Sequence, residues 1–180
     1  MGKNRANFYI CFLTCVAGFS FGMLFSTFFS KFVPKICEIN CSSVILFSKS
    51  MLKAIILPSK LLLIIFAASY TLYILPIGIT TLFMKSVFIA VNVKDMMQFN
   101  SFTDKIISSA YVFCSFISIW MILCAVCKAC RFQRANFFYS RTSSELLFSE
   151  NSFSFIGDYI FLSGISLIFE LGANMIISIL

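Results

Sequence analysis

Residues 60–85 read KLLLIIFAASYTLYILPIGITTLFMK, and this stretch decides the fold class. Lys60 and Lys85 bracket a run without one charge, long enough to exceed the roughly 20 apolar residues a helix needs to cross a hydrocarbon core of about 30 Å. Lysines at both edges fit side chains that reach from an apolar helix to lipid head groups. Within the run, Leu75-Pro76-Ile77-Gly78 predicts a helix break at Pro76 and Gly78, because proline removes a helix hydrogen bond and bends the chain.

Working outward, the same grammar repeats. Arg5 and Lys31 bracket a second uncharged run, Lys105 and Lys128 a third, and the stretch from Tyr159 to Leu180 carries only Glu170. The expected spans are therefore about 7–30, 61–84, 106–127 and 159–180, in a single all-α membrane bundle covering residues 1–180. Residues 86–102 hold Lys94 and Asp95 and read as an interfacial or re-entrant piece. The Lys and Arg tally of the loops does not fix which way the chain faces.

Composition agrees. Of 180 residues, 60% are hydrophobic and 12% charged, against about 45–50% and about 25% in soluble domains. A soluble surface cannot be built from so few polar residues, which excludes an ordinary soluble enzyme and a disordered tail. The basic N-terminus resembles the start of a signal peptide, but the apolar run is too long for one, so an uncleaved anchor is expected. Ala6 stands where a myristoylation motif wants Ser or Thr. The net charge of +7 marks membrane edges instead of one patch, so no nucleic-acid partner is expected.

Two connecting segments carry patterns of their own. In residues 43–57, Val44, Phe47, Met51 and Ile55 recur at helical spacing with Lys49 and Lys53 on another face, a pattern suited to lying in the head-group region or to packing on the bundle. Residues 128–158 form the largest polar stretch, in which Thr142-Ser143-Ser144-Glu145 matches a capping box and Lys128, Arg131, Arg134 and Arg141 form a basic border.

Helix faces supply the candidate sites. Cys11, Cys15, Gly18, Gly22 and Ser26 recur at steps of three and four, a seam of small residues that lets helix backbones approach closely. Cys15, Gly18, Gly22 and Ser26 are the expected helix-packing or partner-binding residues. In the last span, Ser163, Ser166, Glu170, Asn174 and Ser178 form a polar stripe. A central acid costs roughly 3 kcal/mol on insertion scales and faces the bundle interior. Glu170, with Ser166 and Asn174, is thus either a solute, proton or partner site, or a packing element.

Chemistry of other kinds is sparse. The chain has no His, which removes the usual triads and imidazole metal sites, and the seven acids form no evident acid–base pair. Cys124, Cys127 and Cys130 have iron–sulfur-like spacing, with Cys37 and Cys41 as further ligands in principle, but no fourth Cys follows locally. No catalytic residue, cofactor or metal is expected.

The order of these pieces resembles the short, clostridial-type members of the stage II sporulation protein M family. The matching elements are the anchor with Gly18-x-x-x-Gly22, the broken hydrophobic helix of residues 60–79, and Leu82-Phe83-Met84-Lys85-Ser86-Val87-Phe88-Ile89-Ala90. Ser86 and Ala90 stand where that family has glycines, and Phe169-Glu170-Leu171 is similar to a Glu-bearing segment of its longer members. The resemblance implies a multi-pass bacterial cell-membrane protein of spore formation. It would be a non-enzymatic scaffold holding membrane-anchored cell-wall hydrolases at the septal and engulfing membrane. The alternative is a small-solute transport component with Glu170 in a midplane site, where broken helices and buried acids belong. Its partners would be the lipid bilayer and other membrane proteins.

Overall fold

A computed structural model describes residues 2–29, 59–97, 102–139 and 145–177. They form α1 (Gly2–Leu24), α2 (Ser26–Phe29), α3 (Ser59–Ala68), α4 (Ile74–Met96), α5 (Phe102–Tyr139) and α6 (Glu145–Ile177), with no strand among the described residues. The protein is an all-α bundle in which α1, α4, α5 and α6 are long and apolar enough to cross a membrane.

The deciding stretch does not form one helix over 61–84. It forms α3 and the first half of α4, and the break falls at 69–73, ahead of Pro76. The cause is hydroxyl competition for backbone carbonyls. Ser69 Oγ donates to Phe66 O at 2.6 Å and Thr71 Oγ1 to Ala68 O at 2.9 Å, which closes α3 as a turn. Tyr73 N then donates to Thr71 Oγ1 at 3.3 Å. Pro76 therefore lies in the first turn of α4, where a missing N–H costs nothing, and it starts a span instead of dividing one. Gly78 serves packing: a Cβ there would lie 2.5 Å from Val126 Cγ1, so α4 and α5 meet closely at that level.

The region after Lys85 is corrected as well. Residues 86–96 continue α4 and are no interfacial piece. Val87, Ile89, Ala90, Val91 and Val93 are buried, and the charges of Lys94 and Asp95 fall only in the last turn. About 56% of the apolar window in α4 is buried, against 17% in α1 and in α6, which makes α4 the central helix.

The polar stretch 128–158 is mostly helix, since α5 continues to Tyr139 and α6 begins at Glu145. Aromatic rings hold these ends together. Phe132 and Phe155 stack with centroids 4.1 Å apart, and Phe66 of α3 lies parallel to Phe155 at 6.1 Å. Lys128 and Asp158 form an ion pair on the same flank. The capping residues Thr142–Ser144 and the amphipathic pattern at 43–57 lie outside the described residues.

Contacts give the helix directions. Gly18 lies against Phe83 and Ser86, Gly22 against Val87 and Ala90, and Lys94 Nζ donates to Met23 O at 3.3 Å, so α1 and α4 run parallel. Ser118 meets Ser166 while Lys128 meets Asp158, so α5 and α6 run antiparallel. α3 runs towards the end of the bundle where α4 starts, with Leu61 near Glu170 and Tyr70, just beyond α3, against Phe132. Tyr159 anchors α3 by donating its hydroxyl to Leu62 O at 2.6 Å. Tyr159→Phe is expected to lower stability by about 0.5–1.5 kcal/mol, because a buried carbonyl loses its donor. A thermal melt in detergent that matches the parent would show that Leu62 O is satisfied otherwise.

Candidate functional site

Lys85 is the middle residue of α4, and its side chain is 8% exposed. Its ammonium pairs with Glu170 Oε2 of α6. The same carboxylate oxygen accepts from Ser118 Oγ of α5 at 2.9 Å. Ser118 Oγ is also 3.1 Å from Ser166 Oγ, which in turn donates to Ser118 O at 3.3 Å. One charged pair and two serines thus tie α4, α5 and α6 together, at the midpoint of α4 and in the C-terminal half of α6.

The polar stripe of α6 divides by function. Ser166 and Glu170, four residues apart, face inward into this centre. Ser163 and Asn174 bond their own helix, donating to Tyr159 O and Glu170 O at 2.8 Å each. Glu170 is therefore neither alone nor a single-helix feature: its charge is matched by a lysine 85 residues earlier. A cavity of about 90 Å³ adjoins the pair, lined by Lys85, Glu170, Asn92, Tyr111, Ser115 and Asn174 among others. Asn92 Nδ2 donates to Tyr111 Oη at 2.8 Å across it. No buried side-chain nitrogen or oxygen among the described residues lacks a partner.

Lys85, Ser118, Asn92 and Tyr111 did not stand out in the sequence. Lys85 looked like the outer edge of a span because it ends an uncharged run. The signal that identifies it is energetic: a central Glu170 needs a counter-charge, and Lys85 is the cation that an unbroken helix through 74–96 carries to its centre.

The small-residue seam is fully used inside the chain. A Cβ on Gly18 would lie 2.7 Å from Phe83 O, and one on Gly22 would lie 2.8 Å from both Ala90 Cβ and Val87 O. Ser86 and Ala90, four apart on α4, answer Gly18 and Gly22, four apart on α1. Cys15 packs half-buried on the core, and Ser26 is buried in α2. Gly18 and Gly22 hold α1 to α4, and no partner face remains at the glycines.

The open surface lies beside the seam, and Cys15 and Ser86 line both. Between α1 and α5 runs a groove of about 700 Å³, lined by Phe12, Val16, Phe19, Phe113, Phe116 and Trp120 among others. Phe19 and Phe116 meet across it with centroids 5.8 Å apart. Among the described residues, no three His, Cys, Asp or Glu side chains are placed to hold a metal; Cys124, Cys127 and Cys130 spread along α5, and Cys37 and Cys41 lie outside the described residues.

Compared with family models, curated proteins and solved structures, the chain matches none.

Proposed function

We propose that the chain is a multi-pass protein of the bacterial cell membrane that acts as a non-enzymatic scaffold, positioning a membrane-anchored partner through the groove between α1 and α5. The groove carries this reading. It is apolar, outward-facing and bounded by rings, so it suits the side chains of one transmembrane helix, and lipid tails fill it otherwise. The rest of the bundle supports a fixed platform: the glycine seam and the charged centre both join helices within the chain. The resemblance to the sporulation family makes a cell-wall hydrolase at the septal membrane the partner to seek.

The test is affinity purification of the tagged chain from its native membranes in mild detergent, with co-purified proteins identified by mass spectrometry. Val16→Trp, which fills the groove from the α1 side, is expected to reduce recovery of the hydrolase at least about tenfold. Ser86 and Ile89 of α4 also line the groove, so the variant's melting is measured alongside and is expected to match the parent. Equal recovery from parent and variant would remove the groove from the argument.

A second reading, a small-solute transport component, draws support from Lys85, Glu170, Asn92 and Tyr111 lining one cavity. Its volume of about 90 Å³ favours the scaffold, because that space suits about three waters at about 30 Å³ each. Recovery of an ATPase or transport subunit, with uptake abolished by Glu170→Gln, would reverse the order of the two.

A further inference from the structure

The contact between α1 and α5 is built partly from thiols. The two helices run through it in opposite senses. Asn7 is hydrogen-bonded to Cys130, Cys11 to Cys127, and further along Phe19 meets Phe116, so each step up α1 is matched by a step down α5. Four cysteines converge there, and their side chains sort by partner. Cys15 bonds Ser86 of α4 and Cys130 bonds Asn7, which leaves Cys11 and Cys127 to each other. Cys11 is fully buried, whereas Cys127 is partly exposed and lies one turn from the exposed Arg131. The cysteines among the described residues are free thiols, and no three are placed to hold a metal, so a pair is the chemistry this cluster offers.

We propose that Cys11 and Cys127 are a disulfide-forming pair, oxidised by a hydroperoxide. The Cys127 sulfur attacks the terminal oxygen of the peroxide, the O–O bond breaks, and the departing alkoxide takes the thiol's proton and leaves as an alcohol. Cys127 is then a sulfenic acid. Cys11 attacks that sulfur, the S–O bond breaks, and hydroxide leaves with the Cys11 proton as water. In sum, two thiols lose two hydrogens and one peroxide is reduced to an alcohol and water. The order follows from exposure: the oxidant reaches Cys127, and the buried Cys11 is already in contact to resolve it. Thiols that touch across two helices need only a small approach of their Cβ atoms to bridge. The bond ties α1 to α5, the two walls of the apolar groove, and so fixes their separation. That consequence for partner docking rests on the scaffold reading; the pairing itself does not.

The test treats the full chain, reconstituted in phosphatidylcholine vesicles, with cumene hydroperoxide. Remaining thiols are alkylated, and the digest is read by mass spectrometry before and after reduction. A peptide pair joined through Cys11 and Cys127, lighter by two hydrogens than its parts and separated by reductant, is expected. It should exceed every other pairing of the eight cysteines at least about tenfold, because contact selects the partner. Cys11→Ser removes the resolving thiol, so dimedone, which labels sulfenic acids, should then mark Cys127 while leaving it unmarked in the parent. Cys124→Ser should change neither result. Linkage spread over several pairs, linkage only between chains, or no linkage in the parent would each overturn the proposal. Equal dimedone labelling of Cys127 in the parent and in Cys11→Ser would overturn the part given to Cys11. The measurement contains no partner protein, so recovery or loss of a hydrolase leaves it untouched.

Discussion

Replacing Glu170 by Leu leaves Lys85 charged and unpaired at the centre of α4, and the bundle is expected to lose about 3–5 kcal/mol of stability. The size follows from burial. Lys85 is 8% exposed at its side chain and has lost both water and its counter-charge in this variant. Lys85→Met is expected to cost less, because Glu170 is 24% exposed and keeps the Ser118 hydroxyl. The pair itself adds little net stability, since desolvating two ions offsets most of their attraction. The double variant Lys85→Met/Glu170→Leu is therefore expected to recover about 2 kcal/mol or more relative to the sum of the singles. Thermal or denaturant unfolding of all four proteins in one detergent, followed by circular dichroism, closes the cycle. Strictly additive losses would mean that Lys85 and Glu170 do not interact in the folded bundle.

The same pair shows what the sequence could and could not disclose. The helical fold was legible because lipid-length apolar runs leave little choice, and Glu170 was legible because an acid within such a run demands an explanation. Lys85 was hidden by the rule that found the spans: a lysine ending an uncharged run looks like a head-group anchor. Which of two roles it plays depends on where α4 starts, and that is set by hydroxyl-to-carbonyl bonds at Ser69 and Thr71 that spacing does not reveal. Pro76 drew attention to the right neighbourhood and the wrong side of the break. The seam of Gly18 and Gly22 reads in the sequence as a face for close packing, but a seam does not name its partner. Ser86 and Ala90 answer it only once α4 is known to run on past Lys85. Pairings between residues about 65 to 85 apart are properties of the bundle, and periodicity within one helix is silent about them.

That seam carries the other large expected effect. Gly22→Leu should detach α1 from α4, because even the first carbon of the new side chain would lie 2.8 Å from Val87 O and 2.9 Å from Val87 Cα. Those are backbone atoms of the most buried helix and cannot swing aside as a side-chain end can. Gly22→Ala isolates this term: one methyl group should cost about 1–3 kcal/mol by overpacking, outweighing the gain of about 1 kcal/mol that alanine brings to a helix interior. Gly164→Ala is the matched control, since a Cβ there meets nothing within 4 Å, so only the propensity gain remains and stability should rise. With Leu the overlap extends along the whole side chain, and relief requires the helices to separate by more than a methyl's width. The separation would also pull Met23 O from Lys94 and open the buried face of Cys11. A cross-link made by a short thiol-reactive reagent between cysteines placed at Phe21 and Phe83, whose rings meet with centroids 5.8 Å apart, in a background lacking the native thiols reports the approach directly. It should form readily in the parent seam and in Gly164→Ala, weakly in Gly22→Ala, and not in Gly22→Leu. Efficient cross-linking in Gly22→Leu would mean that α1 packs on α4 by another face, and the assignment of the glycines to this contact would fall with it.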